Sequence, residues 1–210
     1  MKIIVKNISK EFKNIKVLED INLTFESGNV YGLNGRNGSG KSVFQKLLCG
    51  LYLPTTGTIT YDGKEYNFKN EFPSMVGALI EKPSFFPNLT GYENLKILAN
   101  INNLISDKEI HETLKIVNLQ DESNKKYNKY SLGMKQKLGI AQALMENKEV
   151  TILDEPFNGL DDASVTKIKE YLLKLKKGNK IVILSSHIKN DLEEICDKIY
   201  YFDAGKVKEL

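Results

Sequence analysis

The feature that most constrains this chain is a glycine-rich segment, GRNGSGKS, at residues 35–42. A short apolar run at residues 30–33 precedes it and predicts a buried strand, and the apolar spacing over residues 42–49 predicts a helix. Glycines allow a backbone to wrap closely around a ligand with successive N–H groups pointing inward, and the N-terminus of the following helix favours an anion. The order of strand, glycine loop and helix therefore predicts a phosphate-binding loop.

The segment matches the pattern G-x-x-x-x-G-K-S/T at every specified position, and the pattern gives its last two residues a role. Lys41 is expected to reach the β- and γ-phosphates of a nucleotide, and the hydroxyl of Ser42 is expected to ligate Mg²⁺. A glycine-rich turn without a ligand is the alternative, and the strand and helix on either side argue against it. The residues expected to bind nucleotide in this loop are Asn37, Gly38, Ser39, Gly40, Lys41 and Ser42.

Two carboxylates, Asp154 and Glu155, directly follow the apolar run at residues 150–153. Ligands of open α/β sheets bind at the carboxyl ends of the strands, so both acids are expected beside the phosphates. Asp154 is expected to hold Mg²⁺, and Glu155 is expected to act as a general base that polarises the attacking water. Solvated acids at the end of a strand are the alternative, which the complete phosphate loop elsewhere in the chain disfavours.

The remaining periodicity indicates an α/β protein with a mainly parallel sheet. The predicted strands lie at residues 3–6, 17–25, 30–33, 58–61, 75–80, 150–153 and 180–184. The predicted helices lie at residues 42–49, 131–145 and 162–177, and two more begin with capping boxes at residues 90–93 and 106–109. We expect one domain over residues 1–210, with a nucleotide-binding core formed by residues 1–81 and 131–210 and an inserted helical lobe at about 82–130.

Composition argues against several other classes of protein. The net charge is +3 and the basic residues are spread along the chain, so we expect no nucleic-acid partner, which requires a concentrated basic face. Cys49 and Cys196 lack the spacing of metal ligands or of a disulfide framework, so we expect reduced thiols in a cytosolic protein. We expect no signal peptide, no membrane span and no regulatory domain after a hairpin turn at residues 203–206, so a membrane role requires a partner.

A further segment, YSLGMKQK at residues 130–137, resembles the signature L-S-G-G-Q of the ABC ATPases. The sequences DEP at 154–156, NGLD at 158–161 and SSH at 185–187 follow it in the order that this family has. Together with the phosphate loop, these motifs extend over nearly the whole chain. The chain therefore resembles the ATP-binding subunits of ABC transporters.

The resemblance implies a fold and an activity. The fold would be a P-loop NTPase core with a mainly parallel sheet, an N-terminal antiparallel β subdomain and an inserted α-helical lobe. The activity would be an ATPase that binds ATP and Mg²⁺ and powers a separate integral-membrane permease. The location would be cytoplasmic, peripheral on the inner face of the cell membrane through that permease.

The resemblance also implies an ATP-dependent homodimer, or a heterodimer with a second ATPase. Ser131 and Gly133 would cap the γ-phosphate of ATP bound to the opposite subunit, which suits a serine that begins a helix; a plain N-cap serine is the alternative. Asp161 would communicate across the dimer, or compensate the dipole at the N-terminus of its helix by its charge, or do both. The implied catalytic residues are Lys41, Glu81, Glu155 and His187, of which His187 would contact the γ-phosphate and orient Glu155.

Within the signature segment Leu132 and Met134 replace a glycine and a glutamine, and two positions outside it also depart from the family pattern. Glu81 stands where glutamine is usual, and since either side chain offers an oxygen, Glu81 is expected to act near Mg²⁺ and the attacking water and to strengthen the dependence on metal. Phe12 replaces a tyrosine that often stacks on adenine, and its phenyl ring is expected to stack in the same way. The alternatives are that Phe12 is a core residue and that Tyr31 or Ile15 flanks the base.

The segment at residues 81–95 and the signature form Y-S-L-G-M resemble ATPases of bacitracin- and lantibiotic-export systems. This resemblance implies export of peptide antibiotics or similar amphipathic compounds. The loop at residues 85–87, Phe-Phe-Pro, is expected to pack against a cytoplasmic coupling helix of the permease. Ordinary packing within the helical lobe is the alternative for this loop.

Three other functions are weighed against the transporter. A non-transport ATPase of the same family typically carries tandem ATPase domains or a long coiled-coil insertion, for which 210 residues leave no room. A small-molecule kinase would need an acceptor pocket and a lid, and would have no use for the signature segment. A regulatory nucleotide-binding module without turnover would have no use for Glu155.

Overall fold

A computed structural model of the chain describes residues 1–66 and 72–210, which form two β-sheets with helices packed on them. The first sheet is antiparallel, and its described strands are β1 (Lys2–Phe12), β2 (Ile15–Glu26), β4 (Thr56–Tyr61) and β5 (Lys64–Glu65), in the order β2-β1-β4-β5. This sheet is the N-terminal antiparallel β subdomain that the family resemblance implies.

The second sheet carries the phosphate loop and the paired acids. Its strands are β3 (Asn29–Asn34), β6 (Val76–Leu79), β7 (Val150–Leu153), β8 (Ile181–Ser186), β9 (Lys198–Asp203) and β10 (Lys206–Glu209), in the order β10-β9-β3-β8-β7-β6. Every neighbouring pair is parallel except β9 with β10, which form a hairpin at the edge. The predicted α/β class with a mainly parallel sheet is therefore confirmed.

Six α-helices are present in the described residues, and the segments that were predicted as helices adopt that structure. The helices are α1 (Lys41–Leu48), α2 (Gly91–Asn102), α3 (Asp107–Ile116), α4 (Leu132–Leu144), α5 (Asp162–Lys177) and α6 (Lys189–Glu193). The capping boxes of α2 and α3 are both formed; in the first, the amide of Glu93 donates to the Thr90 hydroxyl at 3.1 Å and the amide of Thr90 donates to the Glu93 carboxylate at 2.7 Å. Local side-chain chemistry thus fixes where these helices begin.

The first strand, β1, is much longer than the sequence pattern predicted, and β2 extends slightly beyond its predicted bounds. β1 and β2 meet at a two-residue turn, Lys13–Asn14, whose φ angles are 47° and 65°. Two left-handed residues in succession match the turn that best continues the twist of a hairpin, but the usual glycine is absent, so the sequence carried only a weak signal. The short helix α6 and the strand β9 were also not predicted.

The parallel sheet lies between two hydrophobic clusters, because the side chains of a strand alternate between its faces. One cluster contains residues of both sheets and of α1, including Val150 and Ile152 of β7. The other contains Leu153 together with residues of the helical segment, such as Leu95 and Leu114. The carboxyl ends of β3, β7 and β8 lie side by side at one edge of this sheet, and that edge carries the candidate site.

Candidate active site

The glycine-rich segment forms a loop between β3 and α1, and two of its glycines cannot be replaced without movement of their neighbours. Gly35 and Gly40 have φ angles of 149° and 107°. A Cβ atom at Gly35 would lie 2.3 Å from the carbonyl oxygen of Phe202, and one at Gly40 would lie 2.7 Å from the side chain of Leu18. The loop lines a cavity of about 350 Å³ that Glu155 also borders.

The side chain of Lys41 is buried within this loop. Its Nζ donates hydrogen bonds to the carbonyl oxygens of Gly35 at 2.6 Å and Arg36 at 3.2 Å, and the residue is only 5% exposed. Burial lowers the pKa of Lys41, while the carboxylates of Glu155 and Asp154 act in the opposite direction. An ammonium group held by carbonyl oxygens in a cavity of this kind gains strongly from an anionic ligand.

Asp154 is fixed by two hydroxyl groups from neighbouring elements. Ser42 at the start of α1 donates to Asp154 Oδ2 at 2.6 Å, and Ser185 of β8 donates to Asp154 Oδ1. The Ser185 hydroxyl also accepts from the amide of Glu155 at 3.0 Å. The structure therefore places two of the three predicted metal ligands, Ser42 and Asp154, in direct contact, whereas the third, Glu81, is not part of this contact.

Glu155 combines a strained backbone with an incompletely bonded carboxylate. Its φ angle is 48°, in the left-handed region. His187 Nδ1 lies 2.9 Å from Glu155 Oε2, and the Asn158 side-chain amide donates to the same oxygen at 3.4 Å. Glu155 Oε1 is buried without a hydrogen-bond partner, so it is an acceptor with nothing yet to accept from. This arrangement fits a general base with one oxygen free to accept a hydrogen bond from a bound ligand or water.

The donor set beside the phosphate loop suits Mg²⁺ only when a phosphate completes it. Among residues 1–66 and 72–210, no group of three or more His, Cys, Asp or Glu side chains is placed to hold a metal. Mg²⁺ characteristically binds to one or two protein oxygens, with waters and substrate phosphates supplying the rest. Ser42 and Asp154 fit that role, whereas the carboxylate of Glu81 is engaged by Lys46.

The predicted signature residues, Ser131 and Gly133, lie at the N-terminus of α4, close to the segment that follows Glu155. Ser131 is the N-cap, and its hydroxyl accepts from the amide of Met134 at 3.2 Å. A Cβ atom at Gly133 would lie 2.7 Å from the carbonyl oxygen of Gly159, so only glycine permits this close approach. The neighbouring Leu132 is 70% exposed, which leaves this end of α4 open to a partner.

α4 is tied to the catalytic segment by two further contacts. The Gln136 side-chain amide donates to the carbonyl oxygen of Glu155 at 3.2 Å, and Lys137 Nζ donates to Asp161 Oδ2 at 2.8 Å. Asp161 in turn caps α5, because its Oδ1 accepts from the amide and the hydroxyl of Ser164, each at 2.9 Å. The alternative considered for Asp161, a favourable charge at a helix start, is therefore realised.

The comparison with known families agrees with this geometry. A family model described as ABC transporter matches residues 18–158, more than half of the chain. The chain belongs to the ABC transporter family. The signature segment, the phosphate loop and the paired acids all lie within the matched residues.

Known proteins resemble this ABC transporter chain over nearly its whole length. The bacitracin transport ATP-binding protein BcrA of Enterococcus faecalis is 42% identical over 206 residues, covering 97% of this chain and 67% of that protein. The lantibiotic transport ATP-binding protein SrtF of Streptococcus pyogenes is 34% identical, covering 97% of this chain and 87% of that protein. The dimeric, post-hydrolysis structure of the ATP-binding cassette MJ0796 with ADP and Pi has a TM-score of 0.87 at 26% identity, covering 99% and 98% of the two chains. The chain is an ATP-binding subunit of an ABC transporter, and an ATPase.

The aromatic residues considered for the adenine base are placed very differently in this ABC transporter subunit. Phe12 is 36% exposed, its ring meets Tyr52 edge-on with centroids 5.2 Å apart, and Lys10 Nζ lies 4.7 Å from its centroid. Tyr31 is 2% exposed and stacks on Tyr200 inside the core, so it cannot flank a base. Phe12 therefore keeps an accessible ring, whereas the Tyr31 alternative is wrong.

A second concave surface lies away from the phosphate loop. It is a groove of about 420 Å³, and its lining includes Leu51, Pro83, Phe85, Phe86 and Leu98. The two phenylalanines of the predicted loop lie in different environments. Phe85 packs inward against Tyr127, with centroids 5.4 Å apart, and Phe86 is 60% exposed. No helix in the described part of the chain has both the length and the apolar character that crossing a membrane demands.

Three residues of the site were not assigned from the sequence. Ser185 and Asn158 lie inside motifs that were quoted, but only the structure assigns them to Asp154 and Glu155. Lys46 carried no motif; the signal that could have found it is its spacing of one helical turn from Ser42.

Proposed function

We propose that this ATP-binding subunit works as one half of a dimer in which MgATP binding closes two subunits together and hydrolysis separates them, moving a membrane permease. The observation that carries the proposal is the state of Glu155, whose Oε2 is held by His187 and Asn158 while its Oε1 is buried and unpartnered. Buried carboxylate oxygens are usually hydrogen-bonded, so an unpartnered oxygen beside the phosphate loop supports a role in binding or catalysis.

The phosphate end of ATP would bind in the loop that contains Lys41. Its buried ammonium group would exchange the carbonyl oxygens of Gly35 and Arg36 for phosphate oxygens, which are stronger partners because they are charged. Ser42 and Asp154 would hold Mg²⁺, which neutralises charge that develops on the phosphates. Ser185 would keep Asp154 in position throughout.

Glu155 would then act on the attacking water. Its unpartnered Oε1 offers a place for one proton of that water, and a general base must lie within hydrogen-bond reach of the proton it takes. His187 would hold the opposite oxygen of the carboxylate and keep the side chain from rotating. We further propose that Phe12 stacks on the adenine and that Glu81 reaches the metal once it leaves Lys46.

The second half of each site would come from the partner subunit. Ser131 stands at the exposed N-terminus of α4, where the helix dipole and free amides favour an anion, and Gly133 keeps the backbone there close to Gly159. The dimeric state of the MJ0796 cassette supports this arrangement. We propose that the partner is a second copy of this chain or a second ATPase of the same fold.

The permease and the cargo follow from the groove and the relatives. We propose that a cytoplasmic helix of the permease docks in the groove beside Phe86, where an exposed phenylalanine adjoins an apolar cavity. The transported compounds would be peptide antibiotics or similar amphipathic molecules, since relatives carry the names of bacitracin and lantibiotic transport proteins.

Substitution of the general base tests the proposal. Glu155→Gln keeps the shape of the side chain but removes its basicity, so we expect ATP binding to persist, hydrolysis to fall by about 10²-fold or more, and an ATP-held dimer to accumulate on size-exclusion chromatography. Glu170→Gln, which makes the same change at an exposed position of α5, is the control and should behave as wild type. A Glu155→Gln protein that stays monomeric with ATP and turns over normally would contradict both the base and the dimer.

A further inference from the structure

Lys46 and Glu81 form an ion pair that joins the phosphate-loop helix to the loop after β6. Lys46 lies in the last turn of α1, its side chain is only 15% exposed, and its Nζ lies 5.1 Å from the ring centroid of Tyr52. The side chain of Glu81 is 63% exposed. The lysine is thus the fixed member of the pair and the glutamate is the member that is free to move.

The pair lies one helical turn from the expected metal ligands. Ser42 and Lys46 are four residues apart on α1 and therefore lie on the same side of that helix. Ser42 contacts Asp154, and Glu81 borders the same cavity of about 550 Å³ as Asp154 and Glu155. Glu81 therefore faces the same space as Asp154, the carboxylate that contacts Ser42.

The backbone of Glu81 is also held in a costly conformation. Its φ angle is 64°, a left-handed value that a residue with a side chain adopts only when its surroundings impose it. The ion pair with Lys46 stabilises the loop in this conformation. Loss of the pair would therefore favour release of the loop.

We propose that Lys46 is a latch that keeps the Glu81 carboxylate engaged until a divalent cation arrives with the nucleotide and competes for it. This inference rests on the proposed nucleotide site and names the residue that regulates it. Mg²⁺ prefers carboxylate oxygens, so the cation and the Lys46 ammonium are rivals for the same group. Lys46 is a positioning residue here, because it acts through Glu81.

The latch would also connect the metal to the permease groove. The residues directly after Glu81, from Lys82 to Phe86, line that groove. When Glu81 leaves Lys46, this wall of the groove is expected to shift with it. Lys46 would thus determine how strongly metal binding changes the shape of the groove in which the permease is proposed to dock.

A Mg²⁺ titration of nucleotide binding tests the latch without reference to hydrolysis. The fluorescent analogue MANT-ATP is held at fixed concentration and Mg²⁺ is varied for wild type, Lys46→Met, Glu81→Gln and the double variant. Lys46→Met keeps an apolar stem of similar length, and removal of a partly exposed ion pair is expected to lower the half-saturating Mg²⁺ concentration about two- to fivefold. Lys46→Arg, which keeps the charge, should retain the wild-type requirement.

The double variant decides whether the effect passes through Glu81. In the Glu81→Gln background, Lys46→Met should change nothing, because no carboxylate is left to release. An unchanged Mg²⁺ requirement in Lys46→Met, or an equal shift in both backgrounds, would overturn the latch while leaving the nucleotide site intact. Wild-type binding that ignores Mg²⁺ altogether would overturn the metal site, and the latch with it. Binding of MANT-ATP in EDTA, equal in wild type and all four variants, confirms that they are folded alike.

Discussion

Glu155 shows at the scale of a single residue how the site departs from a relaxed structure. Its left-handed backbone costs about 1–3 kcal/mol, and its buried, unpartnered oxygen costs a similar amount. Ser185 and His187 hold it there through the amide nitrogen and the other carboxylate oxygen. Part of the stability of the chain is therefore given up to keep this carboxylate ready for a ligand.

The buried ammonium group of Lys41 is a second single-residue feature that substitution can test. Lys41→Ala removes the buried ammonium group from the phosphate loop, so we expect ATP binding to fall below detection, by more than about 10²-fold, because the triphosphate loses its charge-assisted partner. Isothermal titration calorimetry with ATP and Mg²⁺ measures the change. Lys177→Ala, at an exposed position near the end of α5, should bind ATP as wild type does. Equal affinities in the two variants would remove Lys41 from the site.

Motifs in the sequence selected Lys41, Ser42 and Asp154 as site residues, and the structure brings them together. Their individual contacts were not predictable. The bond between Ser185 and Asp154 depends on the pairing of β8 with β7, which sequence patterns leave open. The engagement of Glu81 by Lys46 depends on how α1 packs beside the loop after β6. Such contacts are set by tertiary packing and carry no local signal.

Among the elements, α5 illustrates how one side chain supports both a helix and its neighbour. Asp161 caps α5 through Ser164 and pairs with Lys137 of α4. Hydrogen bonds from Lys137 and Ser164 hold the pKa of the Asp161 carboxyl well below its usual range. The folded state therefore favours the ionised carboxylate, and the associated stability is present at neutral pH and is lost as the pH falls below about 4.

Asp161→Ala is expected to lower the free energy of unfolding by about 1 kcal/mol at pH 7, the usual effect of losing an N-cap. The deficit relative to wild type should shrink at pH 2.5, since acid removes the same contribution from the wild-type protein. Urea denaturation at the two pH values gives both numbers. Asp162→Ala, in the first turn of the same helix, should cost less; a deficit that is equal at both pH values would refute the role of the ionised cap.

At this scale the sequence identified helices better than strands. The capping boxes at Thr90 and Ser106 are short sequence motifs that indicate where α2 and α3 begin. By contrast, the hairpin between β1 and β2 turns at Lys13–Asn14 without a glycine, and β9 begins and ends with a charged residue. Strand length depends on pairing with distant segments, so the pattern of one strand alone underestimates it.

For the whole molecule, the groove beside Phe86 is expected to couple ATP hydrolysis to transport. The proposed function predicts that the wild-type chain, co-expressed with its permease in a sensitive host, raises the inhibitory concentration of bacitracin or a lantibiotic. Phe86→Ala should lose most of this resistance and keep the ATPase activity of the isolated subunit, because Phe86 lines the groove and not the cavity of the phosphate loop. Phe72→Ala, at a similarly exposed phenylalanine, is the control. Full resistance with Phe86→Ala would exclude this docking surface.

The motif order made the family identifiable from the sequence, but the relation between the helical segment and the core was not. The division of the chain into a core and a lobe at residues 82–130 stays a prediction. What the structure adds is that the buried apolar residues of this segment belong to one cluster with Leu153 and Leu184 of the parallel sheet. A pattern of apolar residues can indicate that a face is buried, but not what buries it.

That shared cluster limits how such transporters can be re-engineered. A segment that shares a hydrophobic cluster with the sheet cannot be exchanged between homologues as an independent unit. This holds even though the proposed permease contact lies on its outer surface. A chimera that imports a foreign helical segment would need matched replacements at Leu79, Leu153 and Leu184 to avoid voids or clashes. Evolution toward a new membrane partner is therefore expected to alter the solvent-facing rim first and to leave the inward face of the segment unchanged.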